Sequence, residues 1–468
     1  MVISAMRGGA GKTTLSLGMA AAWSKQGKKV APFKKGPDYI DAAWLSLAAG
    51  RPCHNLDMFL MGRKEVQHSF WQNGEPAGIS LVEGNRGLYD GVDPEGSQST
   101  AELAKLLHAP VILIIDCDKM TRTAAAMVLG CQKLDSGVDL RGVILNRVAG
   151  SRQEDVVRMS IEHSCGLPIL GSVPRVQDFS LPERHLGLIP PQEHFRVEKA
   201  LGRVREMAEK YLELGRLWEI AGNAVPWAPG TGVEEMRYSF PAQKEGVAGP
   251  MIGVVKDSAF QFYYPENLQA LSHRGARLVE VSAVREKALP AVDSLYIGGG
   301  FPETHARSLA GNTTFRNSLR VAVENGLPVY AECGGLMYLG ESLIIDGLKY
   351  PMVGALPVSF GMEKRPQGHG YTLLEVERGN PFFPVGSFLR GHEFHYSRVL
   401  YWREKEVYFA YRVKRGVGFD GQRDGLCRKN VLASYSHIHA RGAEEWADAL
   451  VKKAILYRAE EEASAAVV

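Results

Sequence analysis

The amino-acid sequence predicts an α/β protein built from two domains. In the first half, short apolar runs alternate with helix-like stretches, which is the pattern of a mostly parallel sheet wrapped by helices. The stretch 223–250 is rich in proline and glycine and has little periodicity, so it is predicted to be a linker. A second α/β pattern begins directly after it, at Met251. We therefore expect one domain over 1–222, a second over 251–445, and a C-terminal helix and tail over 446–468.

The expected strands follow from the apolar runs. In the first domain they are Val2–Met6, Lys29–Phe33, Ile79–Glu83, Pro110–Asp116, Gly142–Asn146 and Ile169–Val173. Helices are expected there at Thr13–Lys25 and Thr121–Leu134. In the second domain the expected strands are Met251–Val255, Ser294–Ile297, Pro328–Ala331 and Val431–Tyr435. The charged and then small residues of Glu460–Val468 predict a frayed end.

Composition narrows the classes of function. Of 468 residues, 45% are hydrophobic and 23% are charged, as in globular proteins. The formal net charge of +3 is close to balance and gives no support to a role on nucleic acid or on a membrane surface. The six cysteines include no CxxC pair, which argues against a disulfide framework and for a reducing compartment. Since apolar runs such as Val111–Ile115 are far too short to cross a bilayer, we expect a cytoplasmic protein.

A glycine-rich loop follows the first expected strand and leads into a helix. It reads RGGAGKTT over Arg7–Thr14, and this context is typical of a loop that binds nucleotide phosphates. Glycines let backbone N–H groups converge on the phosphates, and the helix N-terminus adds a favourable dipole. Lys12 is expected to reach the β- and γ-phosphates, and the Thr13 hydroxyl to bind Mg²⁺. The alternative is a chance glycine-rich turn. The ATP-binding residues predicted in the loop are Gly8, Gly9, Gly11, Lys12, Thr13 and Thr14.

The loop departs from the common phosphate-loop pattern. Met6 occupies the position at which GxxxxGK[ST] has its first glycine. The segment instead resembles the deviant form KGGxGKT[ST], with Arg7 in place of the signature lysine. In ATPases of that form this lysine contacts a nucleotide across a dimer interface. Arg7 therefore has two possible roles, one in a homodimer and one that braces phosphates within its own chain.

Charged residues follow the second expected strand. Lys34, Lys35, Asp38 and Asp41 lie at the carboxyl edge of the sheet, where α/β proteins bind ligands. Two lysines beside two aspartates can hold an anionic substrate together with a metal. A solvated charged turn would give the same pattern.

Three other polar residues of the first domain lie at the end of an expected strand or in a turn. Glu83 ends a strand and is placed to bind Mg²⁺, and Asp90 lies in a turn that can face a substrate. Asn146 closes a further strand, where its side chain can read an adenine edge. Each of these signals is weak by itself.

Cys333 is the candidate nucleophile of the second domain. The segment PVYAECGGLMY predicts a strand, a sharp turn and a helix, and Gly334 and Gly335 permit the tight turn of a nucleophile elbow. A cysteine at a helix N-terminus has a lowered thiol pKa, so we expect a reactive thiolate. The other five cysteines are expected to be small buried hydrophobic residues.

Two further segments supply companions for the cysteine. In IGGGFPE, the backbone N–H groups of Gly299 and Gly300, together with that of Gly334, can form an oxyanion hole. The late segment SYSHIH offers His437 as the base, with His439 as the alternative because strand alternation sends both to the same side.

The histidines allow one more interpretation. HEFH at 392–395 and the pair at 437 and 439 could indicate a metal site, but no cysteine or carboxylate set accompanies them at a familiar spacing.

Taken in order, eight segments resemble those of the cobyrinic acid a,c-diamide synthase family across nearly the whole chain. They are RGGAGKTT, KKGPDYIDAAW, NLD at 55–57, VEGNRGLYDG, IGGGFPE, AECGGLMYL, RGHEFHYS and NVLASYSHIH. The resemblance implies a phosphate-loop domain similar to that of dethiobiotin synthetase, followed by a triad-type (class I) glutamine amidotransferase domain. In such amidotransferases an acidic residue lies two positions after the histidine. Here that position holds His439, so the third member of the triad is missing or comes from elsewhere.

The resemblance also implies an activity. It is the amidation of the a and c carboxylates of cobyrinic acid in cobalamin biosynthesis, with ATP and Mg²⁺, ammonia from glutamine and an acyl-phosphate intermediate. Close relatives act on other tetrapyrroles, including sirohaem-type ones, so the substrate stays open. The implied roles are catalysis for Cys333 and His437; metal binding for Thr13, Asp38 and Glu83; and substrate binding for Lys34, Lys35, Tyr39, Asp41 and Asp90.

A different class of protein is the alternative. A regulatory ATPase could carry the deviant phosphate loop together with an inactive amidotransferase-like module. Cys333, the triple glycine and His437 favour the enzyme, because a binding module would not need them.

Overall fold

The computed structural model describes residues 1–74, 77–175, 183–184, 187–193, 196–224 and 249–465. The chain divides into two compact units, Met1–Met58 with Gly62–Glu234 and Phe59–Met61 with Glu235–Val468. Most of the predicted linker 223–250 lies outside the described residues.

The first unit alternates strands with helices. In chain order these are β1 (Val2–Ala5), α1 (Lys12–Lys25), β2 (Val30–Lys35), α2 (Tyr39–Ala49), β3 (His54–Leu56), α3 (Gly62–Gly74), β4 (Ile79–Glu83), α4 (Thr100–Leu106), β5 (Val111–Asp116), α5 (Thr123–Leu134), β6 (Leu140–Val148), α6 (Ser151–Cys165), β7 (Ile169–Pro174), β8 (Glu183–Arg184), β9 (Gly187–Leu188), α7 (Val197–Tyr211) and α8 (Leu214–Gly222).

The main sheet of this unit confirms the predicted parallel architecture. Its order is β3-β2-β4-β1-β5-β6-β7, and all neighbouring pairs are parallel. The interior strand β5 is an apolar run buried on both faces, as expected where helices cover a parallel sheet. All six predicted strands are present; β4 has the predicted bounds, and the other five differ by one or two residues at one or both ends. The short strand β3 was not predicted.

The second unit contains more strands than the sequence predicted. In chain order its elements are β10 (Met251–Val255), β11 (Phe260–Phe262), α9 (Pro265–His273), β12 (Arg277–Val281), β13 (Ser294–Ile297), β14 (Gly299–Gly300), α10 (Ala306–Gly311), α11 (Thr313–Glu324), β15 (Val329–Glu332), α12 (Gly334–Leu339), β16 (Ser342–Ile345), β17 (Leu348–Pro351), β18 (Val358–Met362), β19 (Gly368–Val376), β20 (Phe388–His395), β21 (Ser397–Trp402), β22 (Tyr408–Arg415), β23 (Arg423–Arg428), β24 (Val431–Ser434), β25 (His437–Ile438) and α13 (Glu444–Ala465).

A mixed sheet forms the centre of the second unit. Its order is β12-β10-β13-β15-β24-β23-β22-β19-β20-β25, with parallel pairing from β12 to β24 and antiparallel pairing beyond. The four predicted strands correspond to β10, β13, β15 and β24. Apolar clusters cover both faces of this sheet.

The structure corrects two of the sequence-based expectations, one about the C-terminal end and one about the burial of the cysteines. The predicted frayed end is wrong for Glu460–Ala465, because α13 continues through these residues; residues 466–468 lie outside the described ranges. All six cysteines carry free thiols, but Cys165 is half-buried rather than buried. None of the helices in the described part of the chain is long and apolar enough to cross a membrane.

Candidate active site

The predicted phosphate loop connects β1 to α1. Gly9 and Gly11 have φ values of 70° and 97°, a left-handed backbone that glycine adopts at little cost. A side chain on Gly11 would also collide with the amide of Asn146. Lys12 is buried, and its Nζ donates hydrogen bonds to the carbonyl oxygens of Arg7 at 3.1 Å and Arg86 at 2.6 Å. The lysine thus joins the loop to the turn that follows β4.

A cavity of about 430 Å³ opens at this loop. Two cationic side chains that the sequence reasoning did not single out, Arg86 and Arg175, also line it, together with Arg147 next to Asn146. Of the predicted residues within the described ranges, Lys35, Tyr39 and Asp90 are not among those that line it. Those that do are Gly8, Gly9, Gly11, Lys12, Thr13, Thr14, Lys34, Asp38, Asp41, Glu83 and Asn146.

An acidic cluster with one lysine lies at the floor of this cavity. The Thr13 hydroxyl donates to Glu83 Oε1 at 2.6 Å and lies 3.4 Å from Asp41 Oδ2. Lys34 Nζ pairs with Asp41 at 2.6 Å and with Glu83 at 2.8 Å. Burial raises the pKa of Glu83, while Lys34 and the Thr13 hydroxyl act against that rise. For Lys34, burial lowers the pKa, but Asp41 and Glu83 outweigh it and raise the pKa overall.

Asp38 and Asp41 have different contacts. Asp38 Oδ1 accepts a hydrogen bond from the Asp41 backbone N–H at 2.8 Å and so caps the N-terminus of α2. Burial, with the neighbouring Asp41 carboxylate, raises the pKa of Asp38 to about 7. It is Asp41, and not the capping residue Asp38, that lies within 3.4 Å of the Thr13 hydroxyl.

The oxygen donors of this cluster meet the needs of Mg²⁺ only in part. Among the described residues, no group of three or more His, Cys, Asp or Glu side chains is arranged to hold a metal ion. Within the same residues, the buried Glu83 Oε2 has no hydrogen-bond partner. Mg²⁺ keeps several waters and takes substrate phosphates as ligands, so it needs few protein oxygens. The Thr13 hydroxyl and Glu83 fit a Mg²⁺ ion that arrives with a nucleotide.

Neighbouring residues brace the loop. The Asn146 amide donates to the Ala10 carbonyl at 2.9 Å. Asp90 Oδ2 accepts from the Gly87 N–H at 2.8 Å and so fixes the turn that carries the Arg86 carbonyl. Lys35 is buried, and burial lowers its pKa.

Arg7 is held within its own chain. Its guanidinium pairs with Asp116 Oδ2 at 2.7 Å, and Arg147 reaches the same oxygen at 2.7 Å. The Arg7 side chain is nevertheless 64% exposed, so most of its surface faces solvent.

Cys333 lies between β15 and α12 in the second unit. Its backbone angles are φ 47° and ψ −99°, a strained conformation for a residue other than glycine and typical of a nucleophile elbow. A side chain on Gly335 would collide with the Ile297 carbonyl and side chain, so this position requires glycine. The Cys333 N–H donates to the Ser434 carbonyl at 2.7 Å, which ties the elbow to the end of β24.

The predicted lowering of the thiol pKa is wrong. Cys333 is buried, and burial, with a contribution from the nearby Glu303 carboxylate, raises the pKa of its thiol well above the usual range. The helix that follows has only six residues, and its dipole does not overcome the loss of water. The thiol is therefore protonated at neutral pH and needs a base.

His437 lies beside the predicted oxyanion glycines. A side chain on Gly299 would contact the His437 ring, with Nε2 at 3.3 Å and Cε1 closer still. A side chain on Gly334 would lie 3.1 Å from the Gly300 backbone nitrogen. Gly299 thus lies close to His437, and Gly334 lies close to Gly300. The Gly298 N–H is already used, since it donates to the Tyr263 hydroxyl at 2.8 Å.

A carboxylate that the sequence reasoning missed lies next to His437. Glu332 Oε2 is 3.5 Å from His437 Nδ1, and both side chains are buried. The available signal was a glutamate that ends an apolar strand, as Glu83 does in the first unit. By contrast, His439 Nδ1 accepts from the Arg441 N–H at 3.2 Å and caps a short 3-10 turn over Ala440–Gly442.

His392 completes the surroundings of this histidine. Its ring stacks on His437 with centroids 4.9 Å apart, and its Nε2 forms a hydrogen bond with the Tyr264 hydroxyl at 2.8 Å. Burial, followed by the nearby His437, lowers the pKa of His392 well below its usual value. His392 is therefore neutral at pH 7.

Comparison with known proteins agrees with these two centres. Residues 1–189 match the family model described as the CobQ/CobB/MinD/ParA nucleotide binding domain. Residues 251–445 match the model described as the CobB/CobQ-like glutamine amidotransferase domain. The protein thus joins a nucleotide-binding domain to a glutamine amidotransferase domain, the composition of a glutamine-dependent, amide-forming ligase.

Relatives along the whole chain identify the family. A protein of Magnetococcus marinus named cobyrinate a,c-diamide synthase is 45% identical over 97% of this chain and 96% of its own length. One of the same name from Archaeoglobus fulgidus is 40% identical over 97% of both chains. The chain belongs to the cobyrinate a,c-diamide synthase family. A solved glutamine amidotransferase overlays with a TM-score of 0.32 and 23% identity over 44% of this chain and 97% of its own, too low to carry an argument.

Proposed function

We propose that this protein amidates the a- and c-side-chain carboxylates of cobyrinic acid, with ATP to activate each carboxylate and glutamine as the source of ammonia. Relatives over 97% of the chain bear the name of this activity. The observation that carries the proposal is the strained Cys333 elbow in the same chain as a phosphate loop, with Gly334 close to Gly300 and with His437 against the adjacent Gly299. A regulatory ATPase with an inactive second module would not need to retain that strain.

The phosphate-loop centre performs the activation step. Lys12 exchanges its two carbonyl partners for the β- and γ-phosphates of ATP, and Thr13 and Glu83 hold Mg²⁺, which neutralises phosphate charge when bound. Lys34 buttresses Glu83. A substrate carboxylate attacks the γ-phosphorus, ADP leaves, and an acyl phosphate forms. Ammonia then displaces inorganic phosphate and gives the amide.

The second centre releases the ammonia. His437 takes the proton from the Cys333 thiol, and the sulfur attacks the amide carbon of glutamine. The N–H groups of Gly299, Gly300 and Gly334 stabilise the oxyanion that develops. Ammonia leaves with the proton from His437, and water hydrolyses the thioester to glutamate and the free thiol.

The substrate is tested most directly by product analysis. The protein is incubated with ATP, Mg²⁺, glutamine and a panel of tetrapyrrole polycarboxylates, and the products are weighed by mass spectrometry. Cobyrinic acid is expected to gain two amide groups. Amidation of a sirohaem-type tetrapyrrole instead would assign that substrate, and no amidated product from any of the panel would contradict the enzyme.

A further inference from the structure

We infer that Glu332, the residue directly before the nucleophile, is the positioning residue that orients His437 for glutamine hydrolysis. The inference rests on the glutaminase role proposed for Cys333 and His437. It assigns a carboxylate to a chain in which the position two residues after the histidine holds His439.

Glu332 is held rigidly as a buried carboxylate. Its side chain is fully buried at the end of β15. Oε2 accepts a hydrogen bond from the Tyr296 hydroxyl at 3.1 Å, and Oε1 accepts from the Tyr330 hydroxyl at 3.2 Å. A buried charge is tolerated only with such partners, and they leave the carboxylate little freedom to turn.

The same carboxylate holds the histidine segment at two points. Oε1 accepts from the Ile438 backbone N–H at 3.1 Å, which fixes β25 directly after His437. Oε2 lies 3.5 Å from His437 Nδ1, a distance that a small ring rotation converts into a hydrogen bond. Glu332 therefore restrains both the backbone and the ring.

The direction of the ring agrees with this role. The Nδ1 edge faces Glu332, whereas Nε2 and Cε1 lie against Gly299 of the predicted oxyanion segment. An imidazole that donates from Nδ1 to a carboxylate presents an unprotonated Nε2 as its base. Glu332 thus selects the tautomer whose basic nitrogen faces the glycine segment, and it stabilises the imidazolium that forms.

A second pair in the same domain supplies a matched control. Glu266 Oε2 lies 3.6 Å from His439 Nε2, and both side chains are buried. His439 uses its other nitrogen as a helix cap, so this pair has a structural role. Removing the charge of Glu266 therefore shows the effect of losing a buried carboxylate beside a histidine, while Glu332 and His437 are unchanged.

The experiment compares Glu332→Gln with Glu266→Gln in the full-length protein. Glutaminase kcat is expected to fall about 10- to 100-fold in Glu332→Gln, the size of loss typical when a partner that orients a functional histidine is removed, with the KM for glutamine little changed. Ammonia-dependent amidation and thermal melting should match those of the wild type. Glu266→Gln should retain glutaminase activity.

Several results would overturn the inference. One is a folded Glu332→Gln protein with wild-type glutaminase kcat; another is a loss of glutaminase in Glu266→Gln alone. If Glu332→Gln does not fold, Glu332→Asp takes its place. It keeps the carboxylate, but its shorter side chain should lower the glutaminase kcat, and a wild-type kcat there would contradict the inference. A wild-type protein without glutaminase activity would instead refute the proposed function itself.

Discussion

The Thr13 hydroxyl donates a hydrogen bond to Glu83 Oε1 at 2.6 Å and so joins the first turn of α1 to the end of β4. The two residues are far apart in the sequence, but β1 and β4 are parallel neighbours, and their carboxyl ends meet at one edge of the sheet. The two oxygen groups that we propose as Mg²⁺ ligands therefore lie side by side in the protein without a nucleotide.

Glu83→Gln tests this pair. The neutral amide weakens the attraction for Mg²⁺, so the Mg²⁺ concentration that gives half-maximal amidation should rise by about tenfold or more. The effect should be equal with glutamine and with ammonium, because both depend on the activated carboxylate. Glu102→Gln, on α4 and in an ion pair with Lys105, is the control and should leave the Mg²⁺ requirement unchanged. An unchanged requirement in Glu83→Gln would remove Glu83 from the metal site.

Because the pKa of Lys12 is lowered, we expect ATP binding to depend on pH. Burial, followed by repulsion from Lys34, lowers the pKa of Lys12 to about 8 in the free protein. Phosphates favour the ammonium form, so ATP should bind more weakly as the pH rises through about 8. Binding near that pH should also take up protons, which calorimetry in buffers of different ionisation enthalpy would detect.

Lys12→Met removes this titration and is the comparison variant. Proton uptake at pH 8 that remains unchanged in Lys12→Met would show that another group is responsible. Exposed Lys25 at the far end of α1 gives the control, since Lys25→Met should behave like the wild type.

The two late histidines should differ sharply. His437→Ala should lower glutamine-dependent amidation by about 100-fold or more, because the buried thiol loses its base. Its ammonia-dependent amidation should persist. His439→Ala should retain most glutamine use, since His439 caps a turn. Amidation rates with glutamine and with ammonium, measured in parallel for both variants, show which histidine is the base. Full glutamine use by His437→Ala would exclude His437 from that role.

The sequence predicted the elements with strong local signals. β4 matches its apolar run at both ends, and α1 begins within one residue of the expected start, because the glycine loop marks its N-terminus. The antiparallel strands β19, β20 and β22 were missed. They are rich in charged and polar residues on one face, so no apolar run marks them.

The parts of the site that lie within one short segment could be predicted from the sequence, whereas the contacts between residues far apart in the chain could not. Cys333 and its glycines lie in one segment, so the elbow could be predicted. The Glu332–His437 contact joins residues far apart in sequence, and the thiol pKa depends on burial by the surrounding fold. Asp38 and Asp41 fit the same charged turn, and only their contacts in the folded chain distinguish them, the helix cap for Asp38 and the pairing with Lys34 for Asp41.

The transfer of nitrogen from glutamine to a carboxylate activated at the phosphate loop is tested most directly with Cys333→Ala. Amidation of cobyrinic acid is measured by mass spectrometry with ATP and Mg²⁺, first with glutamine and then with a high concentration of ammonium salt. The account predicts no product with glutamine and wild-type product with ammonium, because the variant loses the release of ammonia and keeps the activation step. Product from glutamine in this variant, or a folded variant that ammonium does not rescue, would contradict it.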